Sequence, residues 1–318
     1  MTQADKPLEN SLGIAIIGAG ITGLTAADHL VKAGRDVALF DKGRGSGGRI
    51  STRRTENGVF DHGAPELQAT SSAFRDFLSS LGAVAGECGS KFGAPGMRSI
   101  FDPLISQLDI NQGAEVAGLA RESRGWVVRL TNGRSFAHFH TVLVTAPAPQ
   151  AQALVAAVAP KLARDIATVR MQPVWTCLVE FDTALPLPGK LSGRGRVLRA
   201  DRMASKPARD DTREAWVIHM RPEFGLEDTG VDRAIVAPLI LEAFGEDYGL
   251  ALPQARYLDA HRWRYAFADQ PLGRPFLGDA QAGLLVGGDW TLGRRAEHGF
   301  ESGLEMAKAV LSREVVSV

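Results

Sequence analysis

The residues with the clearest chemical meaning form a glycine-rich turn near the start of the chain. Gly18, Gly20 and Gly23 follow a short apolar run in the spacing Gly-x-Gly-x-x-Gly. Glycines in this spacing allow a tight turn, a close approach to a diphosphate and close packing of the next helix, whose positive end faces the phosphates. Asp41 follows Gly20 by 21 positions, near the ~20-residue offset of a ribose-binding carboxylate. The pattern predicts a bound dinucleotide, contacted by Gly18, Gly20, Ile21, Thr22, Gly23 and Asp41.

A second glycine-rich segment indicates which dinucleotide is bound. Gly47, Gly48 and Arg49 come soon after Asp41, within a span rich in cations that include Lys42. A solvated basic loop is one interpretation. The other is an arginine that neutralises a diphosphate while glycines permit close approach. NAD dehydrogenases do not need this second clamp, and the pattern resembles the FAD-binding domain of flavoproteins of the glutathione-reductase and amine-oxidase type.

The C-terminal part carries a matching motif. An apolar run ends in Gly287, Gly288, Asp289 and Trp290, and Glu297 then opens a helix. In flavoproteins with this ending, the glycine-aspartate pair binds the ribityl and diphosphate region, and the helix N-terminus faces the flavin. That dipole favours the anionic reduced flavin. No cysteine lies near the motif, so we predict that FAD is bound non-covalently.

The elements between these motifs predict an α/β fold with a Rossmann-type FAD-binding domain and a second α+β substrate domain built on a mostly antiparallel sheet. We expect an alanine-rich helix over 150–162, a loop-rich stretch over 183–213 and a helix over 231–244. The FAD-binding domain is predicted to comprise residues 11–66, 97–149 and 276–318, and the substrate domain residues 67–96 and 150–275.

Composition excludes several function classes. Of 318 residues, 36 are basic and 36 acidic, which argues against general nucleic-acid or anionic-membrane binding. Cys88 and Cys177 stand alone without a CxxC motif, so neither a disulfide framework nor a metal site is indicated. Because residues 1–12 lack an apolar signal core and no ~18-residue apolar run appears, we expect a soluble cytoplasmic protein without nucleic-acid or membrane partners.

Five motifs together resemble the bacterial renalase-like flavoproteins, and the similarity extends over nearly the whole chain. The resemblance implies oxidation of dihydro-nicotinamide isomers, 2- or 6-dihydroNAD(P), with hydride transfer to flavin N5. Electrons then pass to O₂, giving NAD(P)⁺ and H₂O₂. The turn Gly63-Ala64-Pro65 would lie beside the flavin, and the backbone near Val116 would hold the adenine. The motifs are Asp41 to Arg53, Asp61 to Ala64, Trp216 to His219, Trp263 to Ala266 and Gly287 to Trp290.

The sequence departs from that family at the flavin turn. The family continues Gly-Ala-Gln-Tyr, whereas this chain has Pro65 and Glu66, so a tyrosine of the substrate pocket is absent. The segment from Leu67 to Met97 is also shorter than its counterpart. The departures leave cofactor binding intact and concern the substrate.

Three residues are candidates for catalytic roles. Trp290 is expected on the substrate side of the flavin rather than in the core. His219 is a candidate hydrogen-bond partner for a nicotinamide carboxamide, with a core histidine as the alternative. Glu297 is either a pocket carboxylate or an acid that the helix dipole favours.

Two other functions stay open. The chain could be a flavin-dependent amine oxidase, for which Tyr265 and Trp290 are the one ring pair available to form an aromatic cage around the substrate. It could also be a non-catalytic FAD-binding redox sensor, an interpretation suggested by the altered turn.

Overall fold

The structure is a computed structural model that describes residues 13–56, 58–210, 212–224 and 231–315. The remaining residues of the predicted segments, namely 11–12, 57, 211, 225–230 and 316–318, lie outside the described residues. The strands, in chain order, are β1 (Ile14–Ile17), β2 (Val37–Asp41), β3 (Arg53–Thr55), β4 (Gly58–Phe60), β5 (Leu67–Gln68), β6 (Val84–Ala85), β7 (Ser90–Phe92), β8 (Asp109–Gln112), β9 (Val116–Glu122), β10 (Gly125–Leu130), β11 (Ser135–Phe139), β12 (Thr141–Val144), β13 (Met171–Phe181), β14 (Lys190–Arg194), β15 (Val197–Arg202), β16 (Glu214–Met220), β17 (Ala255–Ala268), β18 (Phe276–Asp279) and β19 (Leu284–Gly287).

Helices alternate with these strands in the first and last parts of the chain, and short 3₁₀ turns lie at Glu87–Gly89, Met97–Phe101, Met203–Ser205 and Pro222–Phe224. None of the helices in the described ranges is long and apolar enough to cross a membrane. The α-helices are α1 (Ile21–Lys32), α2 (Ser72–Ser80), α3 (Asp102–Ile105), α4 (Ala148–Val155), α5 (Pro160–Ile166), α6 (Arg233–Tyr248), α7 (Asp289–Leu292) and α8 (Ala296–Val315).

A six-stranded sheet in the order β18-β19-β12-β1-β2-β8 forms the centre of the cofactor domain. Its strands pair in parallel except for β18, which runs antiparallel to β19. The strands β1, β12 and β19 are buried along their whole length, as expected of parallel strands covered on both faces. The central position of β1 places the glycine turn after Ile17 in the middle of the carboxyl edge.

Helices and a small sheet cover the two faces of this central sheet. On one side α1 and α8 pack together, and Gly303 permits the contact because a Cβ there would lie 2.3 Å from the Thr22 carbonyl oxygen. On the other side the β9-β10-β11 meander and helices α4 and α5 form a second apolar cluster that includes Trp126, Phe139 and Val155. The predicted α/β cofactor domain is confirmed.

The second domain is organised on an antiparallel sheet in the order β14-β15-β16-β13-β17. Cys177, Ile218 and Ala260 share one face and pack with helix α6. Side chains of a strand alternate between faces, so the neighbouring row, Thr176 with His219 and His261, points the other way. That face meets the loop following β4 in the cofactor domain.

The alanine-rich segment predicted as one helix over 150–162 is two helices. The first, α4, ends at Val155, and α5 begins at Pro160. Proline lacks a backbone N–H and disfavours helical geometry in the residue before it. Ala159 accordingly has φ −145° and ψ 67°, outside the helical region.

Two further predictions are corrected by local structure. The stretch 183–213, expected to be loop-rich, contains the β14-β15 hairpin, with Leu191 opposite Ala200. Helix α6 begins at Arg233 rather than residue 231 because the Asp232 side chain caps it, accepting a hydrogen bond from Ala234 N (3.0 Å). It continues to Tyr248 and ends at Gly249 in the left-handed conformation.

Candidate cofactor and substrate site

The two glycine-rich segments lie side by side. Gly47 N donates to the Ala19 carbonyl (2.7 Å), and Gly20 and Gly47 form a parallel bridge. A Cβ on Gly48 would lie 3.2 Å from the Gly20 Cα. A side chain at position 48 would therefore fill the space between the two glycine-rich loops. Helix α1 follows with Gly20 at its N-cap and no side-chain cap, so its first N–H groups point to this cradle and suit a diphosphate.

Asp41 braces the turn. Its carboxylate accepts hydrogen bonds from Ala19 N (2.6 Å) and Gly43 N (2.7 Å), one on each oxygen. Each carboxylate oxygen can accept a further bond, so ribose binding by Asp41 stays a prediction. Its backbone carbonyl accepts from Ala114 N (2.8 Å), which brings the segment leading to Val116 alongside. Lys42 is exposed next to them.

Arg49 and Asp289 bind each other. Arg49 donates to both carboxylate oxygens of Asp289 (2.9 and 2.5 Å) and to the Ala266 carbonyl (2.5 Å). The two residues predicted to contact the diphosphate region thus form a bidentate pair, which is among the stronger types of ion pair. Gly288 lies directly before this aspartate, at the N-cap of α7. The pair joins the N-terminal motif to the C-terminal motif.

The N-terminal ends of α1 and α8 converge beside this pair. A Cβ on Gly299 would lie 2.8 Å from Ile21 Cγ2 and 3.1 Å from Thr22 Oγ1. Gly23 sits in the first turn of α1, where a Cβ would lie 2.0 Å from the Gly18 carbonyl oxygen. The predicted cofactor residues of both chain ends are therefore brought to one place.

The turn from Asp61 to Glu66 is held by side chains of the second domain. His62 O accepts from Trp263 Nε1 (2.8 Å), Gly63 O from His219 Nε2 (2.9 Å) and Pro65 O from Lys206 Nζ (2.9 Å). Three carbonyls of one short turn are thus each bound by a different side chain.

The same turn lies against the arginine loop. Ala64 N donates to the Arg49 carbonyl (2.8 Å), and a Cβ on Gly63 would lie 1.9 Å from the same oxygen. Glycine is therefore required at 63. Gly63, Ala64 and Pro65 therefore border the Arg49 loop, and their position beside a flavin stays a prediction.

An uncharged aromatic cluster lies on the second-domain side of the turn. The His62 ring stacks on Trp263 (centroids 5.2 Å apart) and meets the edge of His261 (5.0 Å). Burial lowers the pKa of His62 to about 3, with His261 and Arg53 adding to the effect. Burial likewise lowers the pKa of His219 and of His261 to about 4. All three imidazoles are neutral at neutral pH.

His219 and its neighbours carry unpaired polar atoms. Its Nε2 faces a carbonyl and must be the protonated nitrogen, so Nδ1 is a bare acceptor. In the described part of the chain, His219 Nδ1, Thr176 Oγ1 and His62 Nδ1 are buried without a hydrogen-bond partner. Buried polar atoms are normally paired with protein, water or ligand, so this row is suited to a polar ligand group.

Trp290 packs among apolar side chains next to Gly288. It is 1% exposed, packs in the apolar cluster of Val144 and Ala148, and donates its Nε1–H to the Ala146 carbonyl (3.1 Å). The short helix α7 turns the ring over Gly288, where a Cβ would lie 2.5 Å from Trp290 Nε1, and a position of Trp290 on the substrate side of the flavin stays a prediction.

Glu297 is not an open pocket carboxylate. It accepts hydrogen bonds from Thr70 Oγ1 (2.5 Å), Thr70 N (3.1 Å) and Ser71 N (2.6 Å). Burial would raise its pKa, but these donors outweigh burial and lower it to about 2. The charged carboxylate of Glu297 thereby holds Thr70 and Ser71, the two residues before α2, against the start of α8.

Sequence reasoning missed Lys206, Arg209 and the contact role of Trp263. The cations lie about 145 positions from the turn in sequence, and no local pattern marks them. In the described ranges no group of three or more metal-ligating side chains lies together.

Two family models match the chain. Residues 16–81 match the NAD(P)-binding Rossmann-like domain, and residues 64–311 match the flavin containing amine oxidoreductase model. The 4,4'-diapophytoene desaturase of Staphylococcus aureus (strain Newman) is 35% identical over 69 residues, covering 22% of this chain and 14% of that protein.

Solved structures share the fold. Putrescine oxidase bound to putrescine aligns with a TM-score of 0.73 and 13% identity, covering 94% of this chain and 99% of its own. Reduced UDP-galactopyranose mutase aligns with a TM-score of 0.73 and 12% identity, covering 95% of this chain and 94% of its own.

Proposed function

The chain belongs to the flavin-containing amine oxidoreductase family and is an FAD-dependent oxidoreductase; from this premise we propose that it is renalase-like and oxidises dihydro-nicotinamide dinucleotides reduced at the wrong ring carbon, 2- or 6-dihydroNAD(P). The observation that carries the proposal is the uncharged character of the polar groups between the turn and the second-domain sheet. His62, His219 and His261 are neutral there because burial lowers their pKa values.

A neutral site suits loss of hydride from a dihydropyridine. Aromatisation of the ring drives that loss, so the protein does not need a strong base and has to orient the ring and exclude water. The nearby carboxylates are occupied: Asp61 by Lys206 and Arg209, and Asp289 by Arg49. None of these groups is an open base.

The residues present fit FAD. We propose that the glycine cradle and the start of α1 bind the diphosphate, that Asp41 and the backbone near Val116 bind the adenosine, and that Gly63 and Ala64 border the flavin. Cys177 is fully buried in the core, which supports non-covalent binding. The chemistry that FAD supplies when bound is acceptance of the hydride at N5 and transfer of two electrons to O₂, with NAD(P)⁺ and H₂O₂ as products.

His219 is proposed as the residue that orients the nicotinamide. Its Nε2 is committed to the Gly63 carbonyl, and the bare Nδ1 can accept from the carboxamide N–H. Thr176, opposite it on β13, offers a hydroxyl that can donate to the carboxamide oxygen. The two atoms match the donor and acceptor of one amide.

Amine oxidation is the second candidate, favoured by the family match. An amine oxidase usually flanks the flavin with two aromatic rings. Of the nominated pair of Tyr265 and Trp290, Trp290 is 1% exposed and packs in an apolar cluster, which weighs against an open aromatic cage. An ammonium substrate would also seek a free carboxylate, and those around the turn are paired. These observations support the dihydro-nicotinamide substrate over an amine.

Anaerobic stopped-flow mixing tests the proposal. The FAD-loaded protein is mixed with 2- and 6-dihydroNAD(P), with ordinary NADH as the matched isomer control, and with a panel of amines, while the flavin absorbance is followed. We expect rapid bleaching by the dihydro isomers and slow or no bleaching by NADH. Bleaching by an amine alone would contradict the dihydro-nicotinamide proposal and support amine oxidation. A flavin that no compound reduces would contradict both functions.

A further inference from the structure

Asp61 is the centre of a buried ionic cluster that joins four segments. Its carboxylate accepts from Thr52 Oγ1 (2.7 Å) and Met97 N (2.8 Å) on one oxygen, and from Lys206 Nζ (2.9 Å) and Arg209 Nη2 (2.5 Å) on the other. The side chain of Asp61 is 0% exposed and each cation is 4% exposed. Burial would raise the pKa of Asp61, but the two cations outweigh burial and keep the carboxylate ionised.

Asp61 accepts from two cations, although Arg209 alone would neutralise it. Lys206 also lies close enough to Asp201 to be affected by its charge, and Asp201 shares Arg199 with Glu66. A buried ammonium group is costly without hydrogen-bond partners, so the place of Lys206 in the cluster needs a reason in its other contacts.

The additional contact of Lys206 supplies that reason. Its ammonium donates both to the carboxylate of Asp61 and to the carbonyl of Pro65 (2.9 Å). It therefore spans the turn from its first residue to its fifth. Between these points lie Gly63 and Ala64, which pack against the Arg49 carbonyl. On the other side of Asp61, the Arg209 guanidinium also donates to the carbonyls of Gly93 and Pro95.

We propose that Lys206 is a positioning residue that fixes the 61–66 turn against the Arg49 loop, so that the second domain sets the shape of the wall facing the flavin. Lys206 acts through Asp61 and the Pro65 carbonyl and does not touch the substrate. Its effect on rate rests on the proposed function, whereas its effect on the turn does not. Arg209 anchors Asp61 and keeps that carboxylate paired when Lys206 is removed.

The test compares Lys206→Met with Lys206→Arg, which can still donate to both acceptors. Lys308→Met is the matched control, because Lys308 forms an exposed ion pair with Glu305 on α8. Three quantities are measured: hydrogen exchange of the 61–66 amides without FAD, the midpoint potential of the bound flavin, and the rate of flavin reduction. The first two need no substrate, so they report on Lys206 even if the dihydro-nicotinamide activity fails.

For K206M we expect about tenfold faster exchange at 61–66, the size of one lost buried hydrogen bond, with a shifted midpoint potential and about tenfold slower flavin reduction at unchanged KM. K206R should recover much of the protection, and K308M should match the wild type. A folded K206M with exchange and potential both unchanged would overturn the proposal. If K206M does not fold, Lys206→Gln is measured by the same criteria.

Discussion

His62, His219 and His261 are the residues whose ionisation governs the site. Their folded pKa values of about 3, 4 and 4 lie below the value of ~6.5 for an unfolded histidine. The unfolded chain therefore binds more protons than the folded chain at pH values between these limits. By linkage, stability rises with pH through this window and is lost as pH falls below about 6.5.

We predict that acid unfolds the protein through these three side chains. The free energy of unfolding should fall by up to about 3 to 4 kcal/mol per pH unit near pH 5, since about three protons are taken up. Urea denaturation at a series of pH values measures the slope. His62→Gln should reduce this slope by about one third. A slope near zero in the wild type would contradict the burial of neutral imidazoles.

Glu297 connects two elements that are far apart in sequence. Its carboxylate lies in the first turn of α8 and accepts from the backbone at Thr70 and Ser71, where Ser71 also caps α2. Phe74 and Phe77 of α2 then pack on Phe300 of α8 at 5.1 and 5.0 Å between ring centroids. One carboxylate and three rings thus fix helix α2 to helix α8.

Glu297→Gln should loosen this connection. The glutamine amide keeps one acceptor oxygen but turns its N–H donors toward the donors of residues 70 and 71. We therefore expect the free energy of unfolding to fall by about 2 kcal/mol, which is typical of hydrogen bonds to a charged group. Amide exchange should increase mainly in α2. Glu305→Gln serves as the control, because Glu305 lies on the same helix in an exposed pair of little energetic weight. Equal stability of both variants would show that the Glu297 bonds contribute nothing net.

The elements differ in how far the sequence could predict them. The glycine turn and the α/β cofactor domain around it depend on contacts within short stretches, and the sequence pattern predicted them; ribose binding by Asp41 stays a prediction. The orientation of Trp290 depends on the single turn of α7, and the partner of Glu297 lies 227 positions away. Lys206 and Asp61 meet only through the packing of two domains. Local pattern carries no information about such pairs.

At the scale of the whole molecule, the two ends of the chain build one cofactor site. Strand β1 pairs with β12, which pairs with β19, so the N-terminal and C-terminal motifs emerge at the same sheet edge. Arg49 and Asp289, 240 positions apart, then close the arrangement through their bidentate bonds. FAD bound across this junction would stabilise the folded form by mass action, since the unfolded chain has no such site.

A double-mutant cycle on Arg49→Met and Asp289→Asn tests this coupling. Because Asp289 is buried and Arg49 partly so, each single variant leaves a partner without its counter-charge. We expect a coupling energy of about 2 kcal/mol in the unfolding of the FAD-free protein. Both single variants should also weaken FAD binding by at least about tenfold, measured by flavin fluorescence. Arg129→Met, which breaks an exposed ion pair with Glu122, should change neither quantity. Additive effects without coupling would mean that the two chain ends are joined by the sheet alone, and that the ion pair does not contribute to the closure of the site.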